Sequence, residues 1–238
     1  MNALNICFIF QWLAYHSLTV KTRQKPQTIG FEPVLPGENR DRLCVRLKTV
    51  KNCRLIFGRP MEIVNFFEKM AGRWLSQRTT HALSTQQSKA GKSDLEVEFL
   101  ASDTDDLKQI YQAQGGAAPL SQPLCGLRIQ QSSTIEGDSK ANVETTMLVI
   151  LTPKAQDDGT YTGTLLRSGA TNKSTYVIED EVLTITNSSE EANSTERLWF
   201  INDNLRMRTG VTELKSGLRI ASFCSEIRMG VKPPSAAN

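Results

Sequence analysis

Between residues 74 and 228 the chain is a series of short apolar segments, separated by turn-forming residues such as Lys89-Ala-Gly91 and Asn202-Asp-Asn204. The segments have the length and the β-branched content of strands. Short strands joined by hairpin-length connections are typical of an antiparallel sandwich or barrel. A barrel of about eight to ten strands encloses room for one ligand. We predict strands at 74–83, 93–100, 124–132, 143–151, 160–167, 173–179, 182–187, 195–201, 204–211 and 217–228.

Two helices are predicted beside the strands. In the segment MEIVNFFEKMAGRW the apolar residues recur at helical spacing, and Gly72 is a natural stop. They fall on one side of the predicted helix, at Ile63, Phe66, Phe67 and Met70. Asp103 is expected to cap a second helix, which the pair Gly115-Gly116 ends.

The basic residues are concentrated at the start of the chain. Residues 1–60 hold ten Lys and Arg against three Asp and Glu, whereas the remainder holds 18 against 22. A mildly acidic domain behind a basic extension lacks the basic surface of a nucleic-acid-binding domain. We therefore expect no nucleic acid as a partner.

The first sixty residues are not expected to belong to the folded domain. Their apolar run at 3–15 is too short to span a bilayer as a helix, and it lacks the basic start and clear cleavage site of a secretory signal. Three Pro and two Gly between residues 26 and 37 argue against a compact fold. We interpret 1–60 as an extension, either upstream of a true start at Met61 or an organelle presequence, and 61–238 as the domain.

Several enzyme classes are excluded by missing motifs. The sequence contains no GxSxG, Walker-type loop, GxGxxG or HExxH. It has two histidines, and its five cysteines are scattered without a CxxC pair. We therefore predict free thiols in a reducing compartment, no metal site and no bound cofactor.

The segment Leu205-Arg206-Met207-Arg208 alternates apolar and cationic residues with period two. In a strand, both guanidiniums then project from one face, roughly 7 Å apart. Two planar guanidinium groups at that spacing suit a ligand that carries two carboxylates or phosphates. The alternation predicts a shared face, but it does not say whether that face points inward or toward solvent.

Other charged residues lie within predicted strands. Arg78 shares a face with Ser76 and Thr80, whereas His81 has the opposite parity. Glu196 shares a face with apolar residues, which implies a carboxylate among them. An inward charge must be paired or meet a ligand.

The last predicted strand has two different faces. Glu226 shares one with Cys224 and Arg228, and Phe223 and Ile227 take the other. The same alternation also fits charged residues on the solvated outer face of an antiparallel sheet. Pattern alone leaves both orientations open.

From Met61 to about Met229 the sequence resembles the S-type phycobiliprotein lyases, the CpcS/CpeS family. The resemblance is carried by several blocks in the same order, and Gly72-Arg-Trp74 also resembles the GxW mark of lipocalin-type barrels. The blocks are Phe66-Phe67 through Trp74, Ser76-Gln-Arg-Thr-Thr-His81, Ser93-Asp-Leu-Glu-Val-Glu98, Glu196-Arg-Leu-Trp-Phe200, Asn204-Leu-Arg-Met-Arg208 and Ala221-Ser-Phe-Cys-Ser-Glu-Ile-Arg228.

The resemblance implies an all-β fold with short helices, namely a lipocalin- or calycin-like antiparallel barrel of about ten strands with an N-terminal helix across one end. It implies a chromophore lyase of the phycobilisome pathway. Such a protein binds an open-chain phycobilin, phycocyanobilin or phycoerythrobilin, as its substrate. It then promotes thioether formation with a cysteine of an apo-phycobiliprotein.

The resemblance also assigns roles to residues. Arg78, Arg206 and Arg208 match the family's arginines and would bind the two propionates of the bilin. Glu196 and Glu226 would hydrogen-bond the pyrrole nitrogens, and His81 would orient the ligand or carry a proton. The attacking thiol would come from the acceptor protein, so Cys224 is interpreted as a packed residue.

Some alternatives stay open. The chain could be a non-catalytic bilin carrier that needs a partner subunit, or a lipocalin-like binder of another amphipathic acid. A homodimer or a pair with a related lyase subunit is compatible with the sequence, and so is either the cytoplasm of a cyanobacterial-type cell or a plastid stroma. Residues 130–137 lack the tryptophan that the family commonly has there, which affects the choice of bilin.

Overall fold

The computed structural model describes residues 60–115, 121–157, 160–170 and 172–230. The expectations for an extension at 1–60 fall almost wholly outside these ranges. The helices are α1 (Pro60–Lys69) and α2 (Asp105–Gly115). The strands are β1 (Gly72–Ala82), β2 (Gln87–Ala101), β3 (Pro123–Ile135), β4 (Asn142–Leu151), β5 (Lys154–Ala155), β6 (Tyr161–Arg167), β7 (Ser174–Glu179), β8 (Val182–Ser188), β9 (Ala192–Asn202), β10 (Leu205–Leu214) and β11 (Arg219–Arg228).

The strands form one closed antiparallel barrel. Their order around it is β4-β3-β2-β1-β11-β10-β9-β8-β7-β6, and pairing of β4 with β6 closes the ring. The short strand β5 lies outside the ring and pairs with β6. The predicted all-β barrel of about ten strands is confirmed. Two-residue β5 was not predicted, because two residues carry no periodicity.

Helix α1 packs its apolar side into one end of the barrel. Phe66 lies edge-on to Phe200, with ring centroids 5.4 Å apart, and Phe67 lies edge-on to Tyr176 at 5.8 Å. The buried helix residues belong to one cluster with inward-facing residues of eight of the ring strands. Removal of this apolar surface from water is what holds the helix on the barrel.

Arg228, at the end of β11, fixes the C-terminus of α1. Its guanidinium donates hydrogen bonds to the carbonyls of Lys69 (2.8 Å) and Ala71 (2.5 Å). These carbonyls have no partner within the helix, and a cation at this end also favours the helix dipole. Gly72 follows at a φ of 117°, and a Cβ there would lie 2.5 Å from the Arg228 guanidinium. Both the positive φ and the close approach of Arg228 therefore favour glycine at this position.

Helix α2 packs on the outside of the barrel. Leu107 is fully buried against the outward side chains of β4 and β6, among them Val149 and Leu166. A Cβ on Gly126 would lie 2.4 Å from a Leu107 methyl, so only glycine lets the helix approach this closely. Arg128 also joins the helix to the barrel through Asp106, at 2.6 Å.

Two local expectations are wrong. Thr104, not Asp103, stands before the first residue of α2, and its carbonyl accepts the backbone N–H of Lys108. The residues Lys89-Ala-Gly91 do not turn but belong to β2. The turn lies instead at residues 83–86, because β1 and β2 stay paired as far as their ends at Ala82 and Gln87.

We expect Arg228→Gln to lower the free energy of unfolding by about 1–3 kcal/mol, because it leaves carbonyls at the end of α1 without a donor. Arg219→Gln is the matched control on the same strand, since Arg219 is exposed and pairs only with the exposed Glu213. The control should change stability by less than about 1 kcal/mol. Urea denaturation measures both, and equal effects would contradict a capping role for Arg228.

Candidate functional site

A cluster of charged residues inside the barrel lies on four neighbouring strands, β9, β10, β11 and β1. Strand pairing places Arg206 beside Glu226, and Glu226 beside Ser76. In the next inward-facing row, Cys224 lies between Arg208 on β10 and Arg78 on β1. The alternation of each strand therefore brings these side chains together on the inner face.

Glu226 is the centre of this cluster. Its Oε2 accepts a hydrogen bond from Arg206 Nε at 2.5 Å, and its Oε1 lies 3.0 Å from an Arg208 nitrogen. Ser76 Oγ also donates to Oε1, at 3.1 Å. The carboxylate is completely buried. Burial alone raises the pKa of Glu226, but Arg208 and Arg206 outweigh it and hold the pKa below its usual range.

Arg206 joins the cluster to helix α1. Besides Glu226, its guanidinium donates to the carbonyl of Met70 at 3.3 Å. It also lies 4.1 Å from the centre of the Trp74 ring. The side chain is 1% exposed. The guanidinium of Arg206 thus has contacts on several sides. These contacts hold Glu226 in place and do not direct the guanidinium toward the interior of the barrel.

Arg208 and Arg78 lie deeper along the strands, away from α1. Both are buried, and Arg208 lies 3.7 Å from the sulfur of Cys224. Cys224 is a free, buried thiol, as predicted for this residue. The two guanidiniums flank it on adjacent strands and give this part of the inner wall a positive charge.

Glu196 differs from Glu226 in its surroundings. Its side chain is buried, and its Oε2 has no hydrogen-bond partner within the described part of the chain. Burial raises the pKa of Glu196, the charge of Glu226 raises it further, and Arg208 acts against the rise. The site therefore holds one carboxylate whose pKa is lowered and one whose pKa is raised. Such a division is typical of sites that handle protons.

His81 is not brought into this cluster. The side chain is exposed on the outer face of β1, and its Nδ1 lies 2.7 Å from Ser88 Oγ. Strand β1 pairs with both neighbours without a register shift, so no bulge turns His81 inward. The other predicted site residues, Arg78, Arg206, Arg208, Glu196 and Glu226, are all buried. Their predicted roles toward a ligand stay predictions.

A second charged group faces the interior from the opposite side of the ring and was not predicted. Arg167, at the end of β6, lies 2.9 Å from Glu144 of β4. The alternation of β4 could have revealed Glu144, because it has the parity of the buried Leu148. Arg167 carried no such signal, since it is a single charge in the last position of its strand.

The segment without the expected tryptophan forms the second half of β3. Its inward-facing residues include Gln131, whose amide donates to Ser93 Oγ at 3.3 Å, and the buried Ser133. The wall of the barrel is therefore polar here. In the described ranges, no helix is long and apolar enough to cross a membrane, and no three His, Cys, Asp or Glu lie together as metal ligands.

Comparisons with known proteins agree on one family. The model of the family described as "CpeS-like protein" matches residues 62–229. A protein of Thermosynechococcus vestitus described as "Chromophore lyase CpcS/CpeS" is 37% identical, over 74% of this chain and 97% of its own length. The "Phycocyanobilin lyase subunit CpcS" of a Picosynechococcus strain is 30% identical, over 72% of this chain and 88% of its own length.

One solved structure supports the fold. The "S-type Phycobiliprotein Lyase CPES" of Guillardia theta superposes with a TM-score of 0.62 at 23% identity. The match covers 71% of this chain and 94% of that one. At this identity the likeness concerns the barrel and not the details of its interior.

The two buried carboxylates should respond oppositely to substitution. Glu226→Gln leaves Arg206 and Arg208 without their shared anion, so we expect a loss of about 3–5 kcal/mol in the free energy of unfolding at pH 7. A lowered pKa means that Glu226 stabilises the fold above the ordinary Glu range and loses this effect as the pH falls. The stability gap between Glu226→Gln and the wild type should therefore narrow in acid.

Glu196→Gln, which replaces the carboxyl by an amide that does not titrate, should behave in the opposite way. Because the pKa of Glu196 is raised, its favourable contribution is full below the ordinary Glu range and is lost as the pH rises. Relative to the wild type, Glu196→Gln should gain stability as the pH rises above the ordinary Glu range. Denaturation curves at several pH values test this, and a gap that is constant with pH would contradict it.

Proposed function

Because the chain belongs to the CpeS-like family, we propose that it is a chromophore lyase that binds an open-chain phycobilin inside its barrel. In this function it promotes attachment of the bilin to a cysteine of an apo-phycobiliprotein. Two relatives that this chain matches over most of their length are named chromophore lyase and phycocyanobilin lyase subunit. The bilin is the substrate, and no further cofactor is proposed.

The observation that carries the proposal is the charged cluster on the inner wall. A barrel interior normally fills with apolar side chains, and a buried charge is costly without a partner or a ligand. Here Arg78 and Arg208 add positive charge around the carboxylate of Glu226, whose pKa is lowered. An anionic ligand would complete the charge balance.

We assign the ligand contacts according to this geometry. Arg208 and Arg78 bind the propionates of the bilin, because charge-assisted hydrogen bonds from guanidinium groups are strong and directional. Arg206 acts through Glu226, which it holds in place. The apolar residues beneath α1 pack against the pyrrole rings, as is usual in ligand sites with few polar groups.

Glu196 is proposed to act on the conjugated system of the bilin. Its carboxyl, which burial favours in the protonated form, donates a hydrogen bond or a proton to a pyrrole nitrogen. Positive charge on the conjugated system makes the ethylidene group of ring A a better electrophile. The S–H of the acceptor cysteine then adds across this double bond, forming one C–S and one C–H bond without an oxidant.

The acceptor subunit is the protein partner in this proposal, and it supplies the thiol. Cys224 does not take that role, because it is buried between Arg78 and Arg208. The proposed activity places the protein in the compartment where its acceptor is made, either a cyanobacterial-type cytoplasm or a plastid stroma. A homodimer or a pair with a related subunit is compatible with it.

Binding is tested by titrating phycocyanobilin or phycoerythrobilin into the protein and recording the absorption spectrum. The wild type should shift the spectrum. The double variant Arg78→Gln, Arg208→Gln should lose at least about a hundredfold in affinity, since each of the two charged contacts contributes about 1.5–3 kcal/mol. Arg219→Gln, at an exposed ion pair, is the control and should bind normally. A wild type that leaves both spectra unchanged would refute the bilin proposal.

Catalysis is tested by co-expression with an apo-phycobiliprotein and the enzymes of bilin synthesis. A covalent adduct on the acceptor, seen by zinc fluorescence, is expected with the wild type. Glu196→Gln should slow attachment by about 10²–10⁴-fold, the usual contribution of a general acid, while bilin binding is retained. Binding without any adduct from the wild type would instead identify a carrier that needs a partner subunit.

A further inference from the structure

The pair formed by Arg167 and Glu144 has no role in the function proposed above. Arg167 lies directly opposite Leu148 in the pairing of β6 with β4. Leu148 belongs to the core cluster inside the barrel, so the Arg167 side chain starts from the inner face. Its exposed fraction is 14%, which places the guanidinium well inside the wall.

This pair faces the first charged cluster across the barrel. In the ring of ten strands, β6 lies five strands from β11 in either direction. The two walls also interact electrostatically. Burial raises the pKa of Glu196, and Arg167 joins Arg208 and Arg78 among the charges that act against this rise. Arg167 is therefore within electrostatic reach of Glu196 on the inner face of β9.

The two members of the pair differ in their access to water. The Glu144 side chain is 41% exposed, against 14% for Arg167. Breaking the pair would return the carboxylate to water at small cost, whereas the guanidinium would stay buried and need another anion. Within the described ranges, Glu144 is held besides by a weak hydrogen bond from Thr146 Oγ1, at 3.4 Å. The arrangement favours exchange of Glu144 for another carboxylate on Arg167.

We propose that Arg167 is a second anion contact for the ligand, on the wall opposite Arg208, and that Glu144 occupies it until one ligand carboxylate takes its place. The inference rests on the proposed function, since it concerns a dicarboxylic open-chain tetrapyrrole. One carboxylate contacts Arg208 and Arg78, and the other contacts Arg167. Two walls then fix the ligand, which makes the site selective for ligands with two carboxylates.

The test compares phycocyanobilin with its dimethyl ester, titrated separately into the protein and followed by absorption. Arg167→Gln should lower the affinity for the diacid about tenfold and leave the affinity for the ester unchanged. Glu144→Gln should raise the affinity for the diacid severalfold, because it removes the competing carboxylate. A merely structural role of the pair would not produce a gain. Arg128→Gln is the control, since Arg128 pairs with Glu98 and Asp106 on the outside of the barrel.

The outcomes separate the two levels of the proposal. If the wild type binds the diacid and Arg167→Gln binds it with the same affinity, this inference is overturned. The proposed function then stays intact. A Glu144→Gln variant that binds the diacid more weakly also overturns it, whether or not Arg167→Gln folds. A wild type that binds neither the diacid nor the ester overturns the proposed function and this inference together.

Discussion

The shared ion pair of Glu226 with Arg206 and Arg208 is the interaction on which the interior depends. Two guanidiniums on adjacent positions of one strand face would repel each other if they were buried alone. A carboxylate on the neighbouring strand, completely removed from water, offsets that repulsion and fixes both side chains. Arg206 then reaches α1, so the helix at the end of the barrel and the charged wall are held by one network.

The interior is consequently divided along the strands. Near α1 it is apolar, with Trp74 and the helix phenylalanines, and farther along it is polar, with Arg78, Arg208 and Glu196. On the outer face of β10 and β11 the polarity is reversed, since Val211, Phe223 and Ile227 are exposed. Around Arg206, Arg208 and Glu226 these two strands thus carry charge inward and apolar residues outward, the opposite of an ordinary half-buried sheet.

That reversal explains which features the sequence could predict. The alternation at 205–208 predicted that Arg206 and Arg208 share a face, and the strand segments predicted the barrel. The alternation did not show whether that face points inward, because the residues on the opposite face are as apolar as core residues. Only the family resemblance indicated the inward direction. His81 was predicted as a site residue from the resemblance, although its parity is opposite to that of Arg78, and the regular pairing of β1 leaves it on the outer face. Arg167 could not be predicted, because its pairing with Glu144 depends on β6 joining β4 past the intervening β5.

The pairing of β1 with β11 has a consequence for the order in which the molecule can assemble. Arg78 lies on the first strand of the ring, and its neighbour Cys224 lies on the last. A nascent chain cannot complete this wall until β11 has left the ribosome, since every contact across the seam joins distant parts of the sequence. Non-local contacts of this kind form late and slow the folding of barrels. The charged wall therefore needs both ends of the ring, and a chain that stops before β11 lacks Cys224 and Glu226.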